Sequence, residues 1–389
     1  MPRTGGDDVS GRLLRLVCTA TVAAHAVLAA VPAAAVPEPR DPGSRSMAEL
    51  LTDLQRLYRQ AEQATEVYNG TEERLRDQRS VVRRLDADLT RARLDLHDSR
   101  GAAGRLARQQ YQSTSDISPY VKLLLARDPR RALDQGHVIG QLARERARTV
   151  DVLTGGERRA DELARKARSA LDRQLALAHR QRTARDEVRR RLDAVEKMLA
   201  SLSAEQLTAL ATFERSGIAR AQRRFMASGA LSGVRRPTPQ GDRAVRYAVR
   251  QLGKPYEWGA EGPRSFDCSG LTSQAWEAAG TPIPRTSQEQ WARLKRIPLR
   301  SLRPGDLVVY FREATHVALY LGDGMVVQAP RPGARVKVSP IAANPILGAV
   351  RPDPTARPLS RYIAPRLPAG AMTGSHEGYA STTPPPRPS

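Results

Sequence analysis

Asp267-Cys268-Ser269-Gly270-Leu271 opens the stretch that decides how the C-terminal part of this chain folds. Leu271, Ala275, Trp276 and Ala279 follow at helical spacing, and Gly280 ends the run. Apolar residues three and four positions apart bury one face of a helix. Aspartate is a favoured N-cap because its carboxylate accepts the free amides of the first turn. The pattern therefore predicts a helix with Cys268 in its first turn. Free amides and the helix dipole favour an anion there, which lowers a thiol pKa. A cysteine so placed is either reactive or buried and inert.

Downstream the texture changes to short strands. Pro304-Gly305-Asp306 turns into Leu307-Val308-Val309-Tyr310-Phe311, and His316-Val317-Ala318-Leu319-Tyr320-Leu321 alternates as a strand does. Gly322-Asp323-Gly324 then reads as a hairpin turn into Met325-Val326-Val327-Gln328. His25 lies in an N-terminal apolar run, His97, His137 and His179 in a helical region, and His376 in the tail. Only His316 falls in the compact C-terminal segment. One cysteine at a helix start and one histidine on a strand are the minimal parts of a thiolate–imidazolium pair. The alternative is a satisfied core histidine. One histidine and one cysteine cannot build a zinc site, so neither a metal nor a cofactor is expected.

Upstream, Leu50, Leu54, Leu57, Ala61, Ala64, Tyr68, Thr71, Leu75, Gln78, Val82, Leu85, Leu89, Ala92 and Leu96 follow alternating steps of four and three. That seven-residue repeat predicts a coiled-coil helix over 46–99, about 80 Å long at 1.5 Å per residue. Val188, Leu192, Val195, Leu199 and Leu202 predict a second helix over 146–215, with Gly155-Gly156 a candidate break near its start. The two are expected to fold back as an antiparallel hairpin within 46–226. Between them Tyr120, Val121, Leu123, Leu124 and Leu125 either cap the hairpin or form a docking knob for a membrane-embedded activator. A linker is expected over 227–240, a compact domain over 241–352 and a disordered Pro-rich tail over 353–389.

The chain has 389 residues, and 63 Lys+Arg against 41 Asp+Glu give it a formal net charge of +22. Such an excess reflects either arginine-rich codon usage or attraction to a polyanion. No helix-turn-helix, zinc-finger or aromatic-basic RNA pattern is present, so nucleic acid is not the expected partner. Arg3, Arg12 and Arg15 precede the apolar run from Leu16 to Ala35, and Ala33-Ala34-Ala35 offers a small-residue cleavage site. Residues 1–35 thus read as a signal peptide, with an uncleaved anchor as the alternative. If Cys18 leaves with it, Cys268 is the one cysteine of an exported protein, for which wall polymers or anionic lipid headgroups are the expected polyanions.

Five motifs in order resemble the NlpC-type cell-wall cysteine peptidases. They are Tyr256-Glu257-Trp258-Gly259, Phe266-Asp267-Cys268-Ser269-Gly270, Pro284-Arg285-Thr286-Ser287, Leu302-Arg303-Pro304-Gly305-Asp306-Leu307 and His316-Val317-Ala318-Leu319-Tyr320. The resemblance implies a papain-like α+β domain, a cysteine-bearing helix packed on an antiparallel sheet. It implies hydrolysis of the D-γ-glutamyl–diamino acid bond in peptidoglycan stem peptides. Cys268 would be the nucleophile, His316 the base and Gln328 the orienting third residue, where many relatives carry histidine. Tyr256, Asp267, Ser269 and Arg285 would line the substrate pocket. Sheet packing for Tyr256, helix capping for Asp267 and loop fixing for Arg285 are equally open. Gln328 keeps a second reading alive, a weakly active or inactive wall scaffold that works through its coiled coil. A third expectation is that the helical arm restrains the peptidase.

Overall fold

The computed structural model describes residues 46–113, 121, 129–231, 233 and 235–372. Its class is α+β, with long N-terminal helices followed by an antiparallel sheet. Helix α1 (Met47–Ser113) starts with a capping box. The Ser46 hydroxyl accepts the Glu49 amide at 3.2 Å, and the Ser46 amide donates to the Glu49 carboxylate at 2.9 Å. Helix α2 is Pro129–Ala200. Gln60 meets Arg191, Glu72 meets Gln181, Gln78 meets Ala170 and Arg100 meets Glu157, so α1 and α2 run antiparallel. Every seam position read from the sequence of α1 is buried or half-buried.

The second helix departs from the expected 146–215. It runs through Gly155-Gly156, because packing along α1 outweighs the low helix propensity of two glycines. It stops at Ala200, and a separate helix α3 (Ala204–Ala227) begins behind Ser203. Ser203 and Gln206 form a second capping box, which closes the amides of a new helix rather than continuing the old one.

The C-terminal unit begins with α4 (Pro239–Arg250), capped by Thr238 and opened by proline at its first position. Helices α5 (Cys268–Ala278) and α6 (Ser287–Arg293) follow. The strands are β1 (Lys295–Ile297), β2 (Leu307–Tyr310), β3 (His316–Gly322), β4 (Met325–Gln328), β5 (Lys337–Pro340) and β6 (Ile346–Arg351). They form one antiparallel sheet in the order β1-β6-β2-β3-β4-β5. Ala244, Val245 and Ala248 of α4 and Leu271, Ala275 and Trp276 of α5 pack with Leu307, Val309, Val317, Leu319 and Val327 on one face. The other face carries Val308, Tyr310, Ala318 and Val326 and receives Phe225 of α3. Glu214 of α3 clamps Arg331 through both oxygens, at 2.9 and 3.1 Å. Gln222 of α3 donates to the Gly324 carbonyl at 3.0 Å and accepts the Ala342 amide at 3.1 Å.

The expected disorder over 353–389 does not hold for 353–372. Asp353 pairs with Arg303 at 2.7 Å and accepts the Thr238 hydroxyl. The Leu359 amide donates to the Pro237 carbonyl at 2.8 Å, and the Ala371 carbonyl accepts the Val338 amide at 3.0 Å. Leu367 and Ala371 join the main core. A proline-rich strap needs few amide partners, and its carbonyls and two apolar side chains suffice to hold it down. Residues 373–389, the segment 1–35 expected to be a signal peptide and the apolar cluster Tyr120–Leu125, apart from Val121, lie outside the described residues. No helix among the described residues is long and apolar enough to cross a membrane.

Candidate active site

Asp267 caps α5 as its sequence suggests, accepting the Gly270 amide at 2.6 Å. Cys268 is therefore the first helical residue, and only 3% of it is exposed. Helix α5 packs across β3, and the Val317 amide, one residue beyond His316, donates to the Cys268 sulfur. The fold thus brings the thiol and the imidazole to one place.

His316 begins β3 and is fully buried. Its Nε2 lies 2.7 Å from Gln328 Oε1. The carboxamide oxygen can only accept, so Nε2 carries the proton and Nδ1 is the basic nitrogen. Nδ1 makes no hydrogen bond and lies 3.5 Å from Glu62 Oε1 of α1. Gln328, the last residue of β4, reaches His316 because β3 and β4 are hydrogen-bonded neighbours.

Arg285 and Asp267 form a buried bidentate pair, at 2.8 and 3.1 Å. Arg285 also donates to Ser269 Oγ at 2.9 Å and pairs with Glu261 at 3.0 Å. Tyr256 is buried in the same core cluster as Cys268. The structure therefore gathers all seven residues read from the sequence around one cleft. Among the described residues no group of three or more His, Cys, Asp or Glu is arranged to hold a metal.

Helix α1 fills that cleft with residues not singled out from the sequence. Asn69 donates to Asp267 Oδ2 at 3.0 Å. Glu66 Oε1 accepts the Ser269 hydroxyl at 2.9 Å and stands 3.8 Å from Cys268 Sγ, while Oε2 accepts the Ser287 amide at 2.8 Å. Glu62 covers His316. Tyr68 stacks edge-on against Trp258 with ring centroids 5.0 Å apart.

This cover reverses the expected electrostatics. Burial, then Glu66, Asp267 and Glu62, push the Cys268 thiol well above its ordinary range. The helix start was expected to lower it, but three carboxyl groups in a dry site outweigh a dipole of about half a charge. Burial also pushes His316 down to about 4. Glu62 is raised well above its ordinary value by burial and by Glu66, and Glu66 is pushed up to about 7 by burial and by Asp267. Thiol and imidazole both stay neutral under the helix, and burial shifts Glu62, beside His316, towards its own neutral form.

Residues 253–348 match the NlpC/P60 family. A probable endopeptidase of Corynebacterium glutamicum is 41% identical over 111 residues, which cover 28% of this chain and 53% of that protein. A probable endopeptidase of Mycobacterium tuberculosis is 39% identical over 114 residues, 28% of this chain and 30% of that one. The chain thus spans about half the length of the first relative and under a third of the second. The solved NlpC/p60 domain of peptidoglycan hydrolase SagA is 32% identical, over 28% of this chain and 97% of that chain, with a TM-score of 0.27. With the five ordered motifs inside the matched segment, the chain carries an NlpC/P60 family domain at residues 253–348.

Proposed function

We propose that this chain is an exported cysteine peptidase that hydrolyses the D-γ-glutamyl–diamino acid bond of peptidoglycan stem peptides, and that α1 holds it latent. The observation that carries the reading is the 2.7 Å hydrogen bond between His316 and Gln328. It fixes the tautomer that leaves Nδ1 free to take the Cys268 proton. With α1 displaced, water returns, the three-carboxyl environment of the thiol is dismantled, and the helix start favours the thiolate.

In the open site the Cys268 thiolate attacks the γ-amide carbonyl carbon. The oxyanion that forms is met by the Cys268 backbone N–H, a donor type worth about 3 kcal/mol. Protonated His316 gives its proton to the leaving amine, the C–N bond breaks, and a thioester remains. His316 then takes a proton from water, whose oxygen attacks the thioester and frees the thiol. Tyr256, Asp267, Ser269 and Arg285 hold the acyl side, where the Asp267 carboxylate suits a free amine. The N-terminal apolar run supports export and wall association. An activator, membrane-embedded or otherwise, would have to work by drawing α1 from the cleft.

The test is a digest of purified peptidoglycan by the full chain carrying Glu66→Arg, which opens the cleft. Stem peptides should be cut, and adding Cys268→Ala should abolish cutting. Intact peptides in both digests would defeat the enzyme reading.

A second reading, a wall-binding scaffold, is favoured by the neutral Gln328 and by the burial of the thiol. Titrating Cys268 of the opened chain with a thiol probe separates the two. An ordinary thiol pKa of about 8.5 supports the scaffold and a depressed one the peptidase.

A further inference from the structure

Helix α4 turns two faces to different surroundings. Ala244, Val245 and Ala248 point into the core, while Arg243, Arg246 and Arg250 follow at steps of three and four on the outer face, all exposed. The strap runs beside that face. The Leu359 amide donates to the Pro237 carbonyl at 2.8 Å, Arg236 donates to the Ser360 carbonyl, and Arg246 donates to the Ile363 carbonyl at 3.0 Å. The strap adds Arg361 and Arg366, both exposed.

The charge on this surface is one-sided. Asp242 holds Arg246 at 2.9 Å, but Arg236, Arg243, Arg250, Arg361 and Arg366 form no ion pair among the described residues. Arg243 donates to the Ala279 carbonyl at 2.7 Å and Arg250 lies over the Tyr247 ring, so neither charge is neutralised. Besides Asp242, the carboxylates that act on this region are Glu277, on Tyr247, and Asp323, on Tyr362. Guanidinium groups thus outnumber carboxylates, and the surface attracts an anion.

The strap also exposes an apolar side chain. Tyr362 is half-buried with its hydroxyl enclosed, whereas Ile363 is 69% exposed. Tyr362 turned inward anchors the strap and leaves its neighbours Arg361 and Ile363 in solvent. A soluble polyanion gains nothing from an isoleucine. A bilayer interface takes the aliphatic side chain below its phosphates and the arginines among them.

We propose that the outer face of α4 and the adjoining strap form a peripheral docking surface for an anionic phospholipid bilayer, in which Ile363 enters the interface and the surrounding arginines meet the headgroup phosphates. Asp267, Ser269, Ser287 and His316, which α1 covers, are not part of it. The inference therefore stands apart from the peptidase reading.

The test is co-sedimentation of the full chain with vesicles of phosphatidylglycerol mixed with phosphatidylcholine. The N-terminal apolar run is the same in every protein compared, so differences report the exchanged residues. One cation near an anionic surface is worth about fivefold in binding. Arg243→Gln with Arg361→Gln should therefore weaken binding about twentyfold, an effect that fades as salt is raised. Ile363→Ser should weaken it about threefold at low and high salt alike. Arg158→Gln with Arg159→Gln, at two exposed positions of α2, should change it little. In the parent, vesicles should slow hydrogen exchange over 243–250 and 359–366, a readout that needs no variant to fold. Equal weakening by the α2 pair would assign the attraction to net charge and overturn the inference. So would an Ile363→Ser chain that binds vesicles as the parent does while the Arg243 and Arg361 pair also weakens binding to soluble polyphosphate, the signature of a surface for a soluble polyanion. Protection confined to α1 and α2 would place the bilayer elsewhere and overturn it too.

Discussion

Glu66 accepts the backbone amide of Ser287 at 2.8 Å, joining helix α1 to the start of α6 across 221 residues of sequence. The same carboxyl accepts Ser269 and stands against the Cys268 sulfur, so one side chain reaches three residues of the cleft. Only 3% of Glu66 is exposed. Glu66→Arg replaces three accepted hydrogen bonds, from Ser269, Ser287 and the Cys268 thiol, with a cation facing Arg285. Losing a hydrogen bond to a charged group costs about 1.5–3 kcal/mol, and an unpaired buried charge adds more. Alkylation of Cys268 in the full chain should accelerate by about a hundredfold or more, read by mass spectrometry. An unchanged rate would mean that α1 does not gate the thiol.

The latch should also loosen as pH rises. Glu66 moves from an ordinary 4.5 up to about 7 under the helix, so the latched state holds a proton that the open state gives up. Its contribution is full below 4.5 and is lost as pH climbs to about 7. Glu62, raised by burial and by Glu66, acts in the same direction. His316 opposes both, since its fall from 6.5 to about 4 strengthens the latch across that window as pH rises. Above 6.5 that opposition ends and the carboxyls act alone. Hydrogen exchange in α1 should therefore quicken between pH 6.5 and 8. Glu66→Gln, which cannot ionise, should flatten the rise, and an equally steep profile in that variant would assign it to another group.

The sequence reveals the half of the cleft that bears Cys268 and His316 more readily than its cover. Cys268, His316 and the turn before Met325 are set by local rules, an Asp cap, a strand alternation and a Gly-Asp-Gly turn, so each can be read in a short window. Glu62, Glu66 and Asn69 sit on a helix whose repeat points elsewhere, and only tertiary contact gives them meaning. A faint signal exists in the stretch from Gln60 to Glu73, which holds no lysine or arginine in an otherwise arginine-rich helix. A face that meets Asp267 and Arg285 in a dry site has little room for long cations. The strap over 353–372 escaped for a related reason, since its proline content speaks about local stiffness and not about what its carbonyls meet.

Gln328→Ala should lower kcat of the opened enzyme by about tenfold while leaving KM near its parent value. The carboxamide oxygen meets the imidazole at 2.7 Å, so its loss frees the ring to rotate and lets either nitrogen hold the proton. A neutral hydrogen bond is worth about 0.5–1.5 kcal/mol, which sets the scale. Gln328→His should retain more activity than Gln328→Ala, because an imidazole can still accept Nε2–H. Equal kcat in all three proteins would mean that the ring is held by packing alone.

Gly270→Ala tests whether the position of Cys268 depends on close contact with the loop before it. Gly270 is the third residue of α5, and its amide is the one that Asp267 caps, at 2.6 Å. A methyl group there would collide with the carbonyl oxygen of Ala260, while that same carbonyl accepts the Asp267 amide at 3.0 Å. The helix cannot retreat, because Leu271, Ala275 and Trp276 are fully buried behind it and Trp276 donates to Gly305 at 3.1 Å. Overpacking of this kind costs about 1–3 kcal/mol, and a disrupted cap adds about 1 kcal/mol more. Alanine is the better helix former, so a propensity argument alone would forecast a gain. Thermal unfolding decides between them: a fall in Tm of several degrees, with slower Cys268 alkylation in the opened background, is expected. A rise in Tm would show that the loop yields and that its contact does not position the thiol.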